Sequence, residues 1–196
     1  MKEMERAEVL MRQRDDGWWA HLCVIVPELR ALASTPQPRE YHAEGDVAIH
    51  TRLAIEACPV GCEPDLLWVA LLHDIGKPAT TRQNEQGRIT AYGHAKLGAE
   101  MSDDILIRIG MPENRRKRII WAIRHHIFYH SWQLNKAEEL SRRQRKYLLD
   151  PDFPLLLEFL RIDSVASQGN PSGMQTYEFY KELYLTEISQ EIGPSL

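Results

Sequence analysis

From Leu66 to Leu72 the chain reads Leu-Leu-Trp-Val-Ala-Leu-Leu, and the next two residues are His73 and Asp74. A helix this apolar belongs in a core, and its end carries an imidazole and a carboxylate in with it. Burying an ionised carboxylate is costly unless a counter-charge, hydrogen bonds or a metal compensates it. Any fold for this chain must therefore supply partners for the pair from elsewhere in the sequence.

Helical periodicity runs through almost the whole chain, so the expected class is all-α. Amphipathic patterns predict helices over residues 3–14 and 17–34, the second kinked or restarted at Pro27. The stretch STPQPREYHAEGD reads as a loop, because Pro36 and Pro38 deny helix to their neighbours. Helices are then expected at 46–57, 64–75, 94–109, 112–130, 140–149, 152–167 and 172–191. Pro64, Pro112 and Pro154 lie near first-turn positions, and Gly76 and Gly110 just past ends. The exception is TTRQNEQGRITAYG, where a polar centre between β-branched flanks suggests a loop or short hairpin within about residues 80–92.

With 196 residues, 43% of them hydrophobic, the chain suits one domain with a substantial core. No apolar run approaches a membrane span. The charged start, MKEMERAEVLMRQRDD, lacks the pattern of a secretory signal, so a cytoplasmic protein is expected. Cys23, Cys58 and Cys62 do not suggest a disulfide framework. Nor is structural zinc expected at CPVGC, which has no second Cys or His pair beside it. A formal charge of −4 offers no global attraction to nucleic acid. Two basic runs, RRKR at 115–118 and RRQRK at 142–146, read as solvated helix faces or as local contacts for RNA or phosphate.

The candidate partners of His73 and Asp74 are His50, His94, His125, His126 and Asp163. Each sits in or at the start of an expected helix, with apolar neighbours at i±3 or i±4, so most of them are expected to face inward. One such histidine is an ordinary core residue. Four or more beside two aspartates are hard to satisfy by hydrogen bonding alone. Imidazole mixed with carboxylate suits Mn, Fe, Co, Ni or Zn, and Mg less well.

The order His50, His73-Asp74, Asp163 resembles the H…HD…D signature of the HD-domain metal-dependent phosphohydrolases, an all-α family. The segments VPELRALASTPQPREYHAEGDVAIHT, LLHDIGKP, YGHAKLGAE and IRHHIFYH look like the HD domain of bacterial tRNA nucleotidyltransferases, with the resemblance running from about residue 26 to 168. It implies an HD domain over 26–168, between a helical extension at 1–25 and a C-terminal helical segment at 169–196. The nucleotidyltransferase head, with its glycine-serine motif and paired aspartates, has no counterpart ahead of the match, so CCA addition is not expected. The implied activity is metal-dependent hydrolysis of nucleotide or RNA-end phosphoesters, such as 2′,3′-cyclic or 2′-phosphates.

Carried over by position, the resemblance implies that His50, His73, Asp74 and Asp163 hold one divalent metal. Asp74 would bridge to a second held by His94 and His126, with His125 as the other candidate from the adjacent pair. Asp46, one turn before His50, either orients that ring or caps its helix. Lys77 is expected to act with Asp74 in the reaction by contacting a phosphate, or else to cap a helix end. Arg82 and His130 are further candidate substrate contacts, as is His42. Trp18 and Trp19 read as packing residues or as a contact for self-association. Two other functions compete with hydrolysis: a binding module that holds metal and nucleotide with little turnover, and an RNA-processing accessory domain that uses the basic runs.

Overall fold

The structure is a computed structural model that describes residues 2–132, 140–168, 170 and 172–192. Of the expected C-terminal segment, residues 169, 171 and 193–196 lie outside the described residues. The chain opens with α1 (Glu3–Gln13) and α2 (Trp18–Ile25), and Pro27 restarts it as a 3-10 segment to Ser34. After the proline-bounded loop come α3 (Val47–Glu56), α4 (Pro64–Leu72) and the short α5 (Lys77–Thr80). Strands β1 (Arg82–Gln83) and β2 (Ile89–Thr90) form the expected hairpin, antiparallel with Arg82 opposite Thr90. Then follow α6 (His94–Arg108), α7 (Glu113–His125), α8 (Tyr129–Trp132), α9 (Arg142–Leu148), α10 (Phe153–Ala166) and α11 (Gly173–Ile192). No helix among the described residues is long and apolar enough to cross a membrane.

Helix α4 is the axis of the bundle, with α1, α3, α7 and α10 packed around it. Every residue from Leu66 to Leu72 is at most 2% exposed. Burying those side chains contributes on the order of 10 kcal/mol gross, against a cost of several kcal/mol for a buried ion. The apolar run can therefore hold His73 and Asp74 inside. A second cluster, built from Phe128, Leu148, Phe153, Tyr177 and Tyr180 among others, lies under α9 to α11.

Two readings need correction. Gly76 lies just past the end of α4, yet its φ of −82° is open to any residue, so it is not there as a helix-ending glycine. Its need is space, because a Cβ there would lie 2.4 Å from the His94 carbonyl oxygen and 2.7 Å from Gly98 N. The missing side chain lets α6 close against the end of α4. The run at 115–118 is not a free basic face either. Arg115 pairs with Asp65 at 2.6 Å and Glu8 at 2.8 Å, Arg116 with Asp103, Lys117 with Glu113, and Arg118 with Glu63 and Asp65. In the second run Arg145 pairs with Glu187.

Candidate metal centre

Five elements bring the polar side chains of the core to one place. His50 lies in α3, whose cap Asp46 accepts a hydrogen bond from Ile49 N at 3.0 Å. Asp46 thus takes the capping role of its two expected roles. His73 and Asp74 follow α4, His94 opens α6, His126 caps α7, and Asp163 sits on α10. His50, His73, Asp74 and His126 are at most 3% exposed and His94 is 9% exposed.

The two oxygens of Asp74 serve two sets of rings. Oδ2 lies 3.1 Å from His73 Nε2 and 4.0 Å from His50 Nε2. On the other side, Oδ1 lies 3.5 Å from His94 Nε2 and 3.9 Å from His126 Nε2. Asp163 Oδ1 closes the first set, 2.9 Å from His50 Nε2 and 3.9 Å from His73 Nε2. His50, His73 and Asp74 form one group with metal-ligand spacing, and Asp74, His94 and His126 form another that shares the aspartate.

Proton positions follow from the other side of each ring. Nδ1 meets the Glu44 carboxylate at His50 (2.8 Å), Ala70 O at His73 (3.0 Å), Ala91 O at His94 (2.7 Å) and Ile123 O at His126 (2.7 Å). All four partners only accept, so each Nδ1 carries a proton; His73, His94 and His126 turn an Nε2 lone pair inward, while His50 Nε2 donates to Asp163 Oδ1 at 2.9 Å in the metal-free cluster. His94 and His126 then face each other, lone pair to lone pair, at 3.1 Å. Around them, among the described residues, His73 Nε2 and both oxygens of Asp74 are buried without a well-directed hydrogen bond. Divalent cations held by the two groups would satisfy these atoms, and the donor set suits a transition metal.

The charges of the metal-free cluster follow the same geometry. Burial opposes a charge on His50, but its hydrogen bonds with Asp163 and Glu44 lift its pKa to about 9. Burial, reinforced by the neighbouring His94 and His73, brings His126 down to about 3. Burial also lowers His94, against the pull of Asp74. Although burial raises both aspartates, Asp74 is held well below the usual range chiefly by His73 and Lys77, and Asp163 is held low chiefly by His50.

Glu44 is a residue that sequence reasoning missed. Its buried side chain accepts from His42 Nδ1 at 2.9 Å as well as from His50, and its other oxygen accepts from Gln168 N at 3.0 Å. Burial opposes ionisation of Glu44, yet the His42 and His50 hydrogen bonds bring its carboxyl down to about 2. A carboxylate behind a ligating ring fixes the tautomer and raises basicity, and losing one typically weakens metal binding by about 10–100-fold. Glu44→Ala is expected to do so here, with the helical far-ultraviolet spectrum unchanged. A metal titration of native affinity would limit Glu44 to tying down its loop.

A cavity of about 580 Å³ opens over the cluster, lined by His42, Lys77, Arg88 and His130 among others. Lys77 Nζ lies 2.7 Å from Asp74 Oδ2 and donates to Gln37 Oε1 at 2.6 Å. Two expected site residues are placed elsewhere. Arg82 turns back to the carbonyls of Ala79 and Thr81, and Arg88 across the hairpin lines the cavity in its place. His125 donates to Trp121 O and packs between Trp121 and Tyr147, which leaves His126 as the member of the pair that faces the cluster.

The family model described as HD domain matches residues 44–160. Asp163 lies three positions beyond that match, so its inclusion rests on its 2.9 Å contact with His50. The Multifunctional CCA protein of Teredinibacter turnerae is 31% identical over 113 residues, covering 57% of this chain and 27% of that protein. The A-adding tRNA nucleotidyltransferase of Deinococcus radiodurans is 31% identical over 174 residues, or 85% of this chain and 38% of that one. The Multifunctional CCA protein of Alkalilimnicola ehrlichii is 32% identical over 138 residues, or 66% and 33%. The chain thus spans between 27% and 38% of the length of these three relatives.

Proposed function

The chain belongs to the HD domain family, and from that premise we propose that it is a metal-dependent phosphohydrolase acting on nucleotide or RNA-end phosphoesters such as 2′,3′-cyclic or 2′-phosphates. The observation that carries this reading is the convergence of four inward imidazole Nε2 atoms on the two carboxylates at the floor of an open cavity. His50, His73, Asp74 and Asp163 would hold one divalent ion, and Asp74, His94 and His126 a second. When bound, such ions activate water near neutral pH and neutralise charge on phosphoryl oxygens. Manganese, iron, cobalt, nickel or zinc fits an imidazole-rich set, and magnesium fits it less well.

The chain's own residues do the rest. Asp74 is shared between the two groups and fixes their separation. Glu44 and three backbone carbonyls hold the Nδ1 protons away from the centre, which keeps the inner faces of the rings free to donate electron pairs. Lys77 has at least one N–H beyond its two neighbours for a phosphoryl oxygen. The names of the relatives, a CCA protein and an A-adding tRNA nucleotidyltransferase, support a nucleotide or RNA end as the substrate class. The acidic partners of Arg115, Arg116 and Arg118 weigh against one of the two surfaces that an RNA-binding accessory role would use.

The test is elemental analysis of the purified protein with a panel of 2′,3′-cyclic nucleotides, 2′-nucleotides, 3′,5′-cyclic nucleotides, dNTPs and an aryl phosphate. Bound transition metal and turnover of at least one ribonucleotide ester are expected. Metal without turnover on the whole panel would reduce the chain to a binding module. Lys77→Ala should keep its metal, since an ammonium is not a ligand. It should lose roughly one to two orders of magnitude in kcat/KM as a charge-assisted hydrogen bond disappears. Native kinetics in that variant would leave Lys77 only its ion pair with Asp74.

A further inference from the structure

Among the described residues, two polar groups in the cavity wall have no partner of their own. Gln37 Nε2 and Thr81 Oγ1 are buried and make no hydrogen bond there, and both residues line the cavity over the cluster. Gln37 is only 5% exposed. Its orientation is set by a neighbour that can only donate: Lys77 Nζ holds Oε1 at 2.6 Å, which fixes the amide oxygen there and turns the NH2 group away. The backbone is equally constrained, because Gln37 sits between Pro36 and Pro38 and the residue before a proline is confined to extended conformations. Just before it, the Thr35 carbonyl accepts from Val47 N at the start of α3. A buried NH2 group kept in one orientation and left without an acceptor is costly, and a ligand that supplies the acceptor removes the cost.

We propose that Gln37 and Thr81, together with an N–H of Lys77, form a donor subsite for an anionic oxygen of the phosphoryl group bound at the metal centre. The assignment rests on the phosphohydrolase reading and deepens it. An amide NH2, an ammonium and a hydroxyl can all donate at once, and an anionic oxygen accepts from several donors where a neutral hydroxyl would have to share its own proton. Contacts of 2.6 Å and 2.7 Å run from Gln37 through Lys77 to Asp74, so the subsite is one side chain away from the shared ligand. Gln37 is then a substrate-binding residue, and the proline loop serves to hold it.

Inorganic phosphate is the probe, titrated calorimetrically into the metal-loaded full chain. Gln37→Glu keeps an acceptor for Lys77 but replaces the NH2 group by a carboxylate oxygen, and Thr81→Val removes a hydroxyl at nearly constant shape. With metal content equal to wild type, phosphate affinity should fall by roughly ten- to a hundredfold in Gln37→Glu and by several-fold in Thr81→Val. Phosphate affinity within twofold of wild type in both variants overturns the proposal, as does a metal-loaded wild type that binds no phosphate. Thr81→Val leaves the loop and its Lys77 contact intact, so it decides the matter even if Gln37→Glu folds poorly. Phosphate binding that depends on Gln37 in a chain inert on the ester panel would remove hydrolysis and leave the subsite. Turnover that ignores both substitutions would do the reverse.

Discussion

A chain carrying His73→Ala and Asp74→Ala together holds no divalent metal and hydrolyses no phosphoester above background. Asp74 faces all four inward rings, with oxygens 3.1–4.0 Å from their Nε2 atoms, so its loss removes the shared anchor of both groups at once. Without a cation nothing activates water near neutral pH, and the rate falls by several orders of magnitude. The fold persists, because α4 is held by the burial of Leu66 to Leu72 and not by the residues after it. Elemental analysis, circular dichroism and the ester panel check the three parts. Turnover by the metal-free double variant would place the chemistry elsewhere in the molecule.

Chelation of the wild-type protein has the second large effect. A ligand present at a thousandfold excess over its Kd stabilises the folded state by about 4 kcal/mol. Since 1 kcal/mol moves Tm by about 2–4 °C at this chain length, chelation should lower it by roughly 8–16 °C. The double variant should melt at one temperature with or without metal.

The metal-free protein should also have a stability optimum near pH 6.5. The raised pKa of His50, about 9, contributes stability that is complete below its ordinary 6.5 and lost as pH rises through 9. The depressed pKa of His126, about 3, contributes stability that is present above 6.5 and lost as pH falls toward 3. Glu44, near 2, adds a loss of the same sign as pH drops below its ordinary 4.5. Metal must displace the second proton of His50, so metal titration at pH 7 should release protons and give a heat that changes with the buffer. Denaturant midpoints rising steadily from pH 5 to pH 9 after chelation would contradict this balance.

Most of the helical frame can be read from the chain because apolar periodicity reports which faces are buried. The cluster is legible for a related reason: His50, His94, His126 and Asp163 are polar residues among apolar neighbours on helices. What is missing from the sequence is pairing across distance. Glu44 and Gln37 sit in an aperiodic loop, and nothing local shows that one would stand behind His50 and the other beside Lys77. The RRKR run looks like a face for an anion until Glu8, Glu63, Asp65 and Asp103 arrive from elsewhere in the chain. Hairpin register decides between Arg82 and Arg88, and a few polar residues with two-residue strands do not encode it.

Glu44 also joins the two ends of the domain. Its carboxylate accepts from Gln168 N, and the neighbouring Ala43 N donates to Gln168 O at 2.6 Å, so the loop before α3 is fastened to the chain just after α10. His50 and Asp163, 113 residues apart, meet through that fastening. A polypeptide emerging from the ribosome therefore presents His50, His73, His94 and His126 long before Asp163, and the first ion position lacks its last carboxylate until nearly the whole domain has been made. On the proposed ligand assignment, an ion there would close a nearly finished bundle and would not serve as its nucleus.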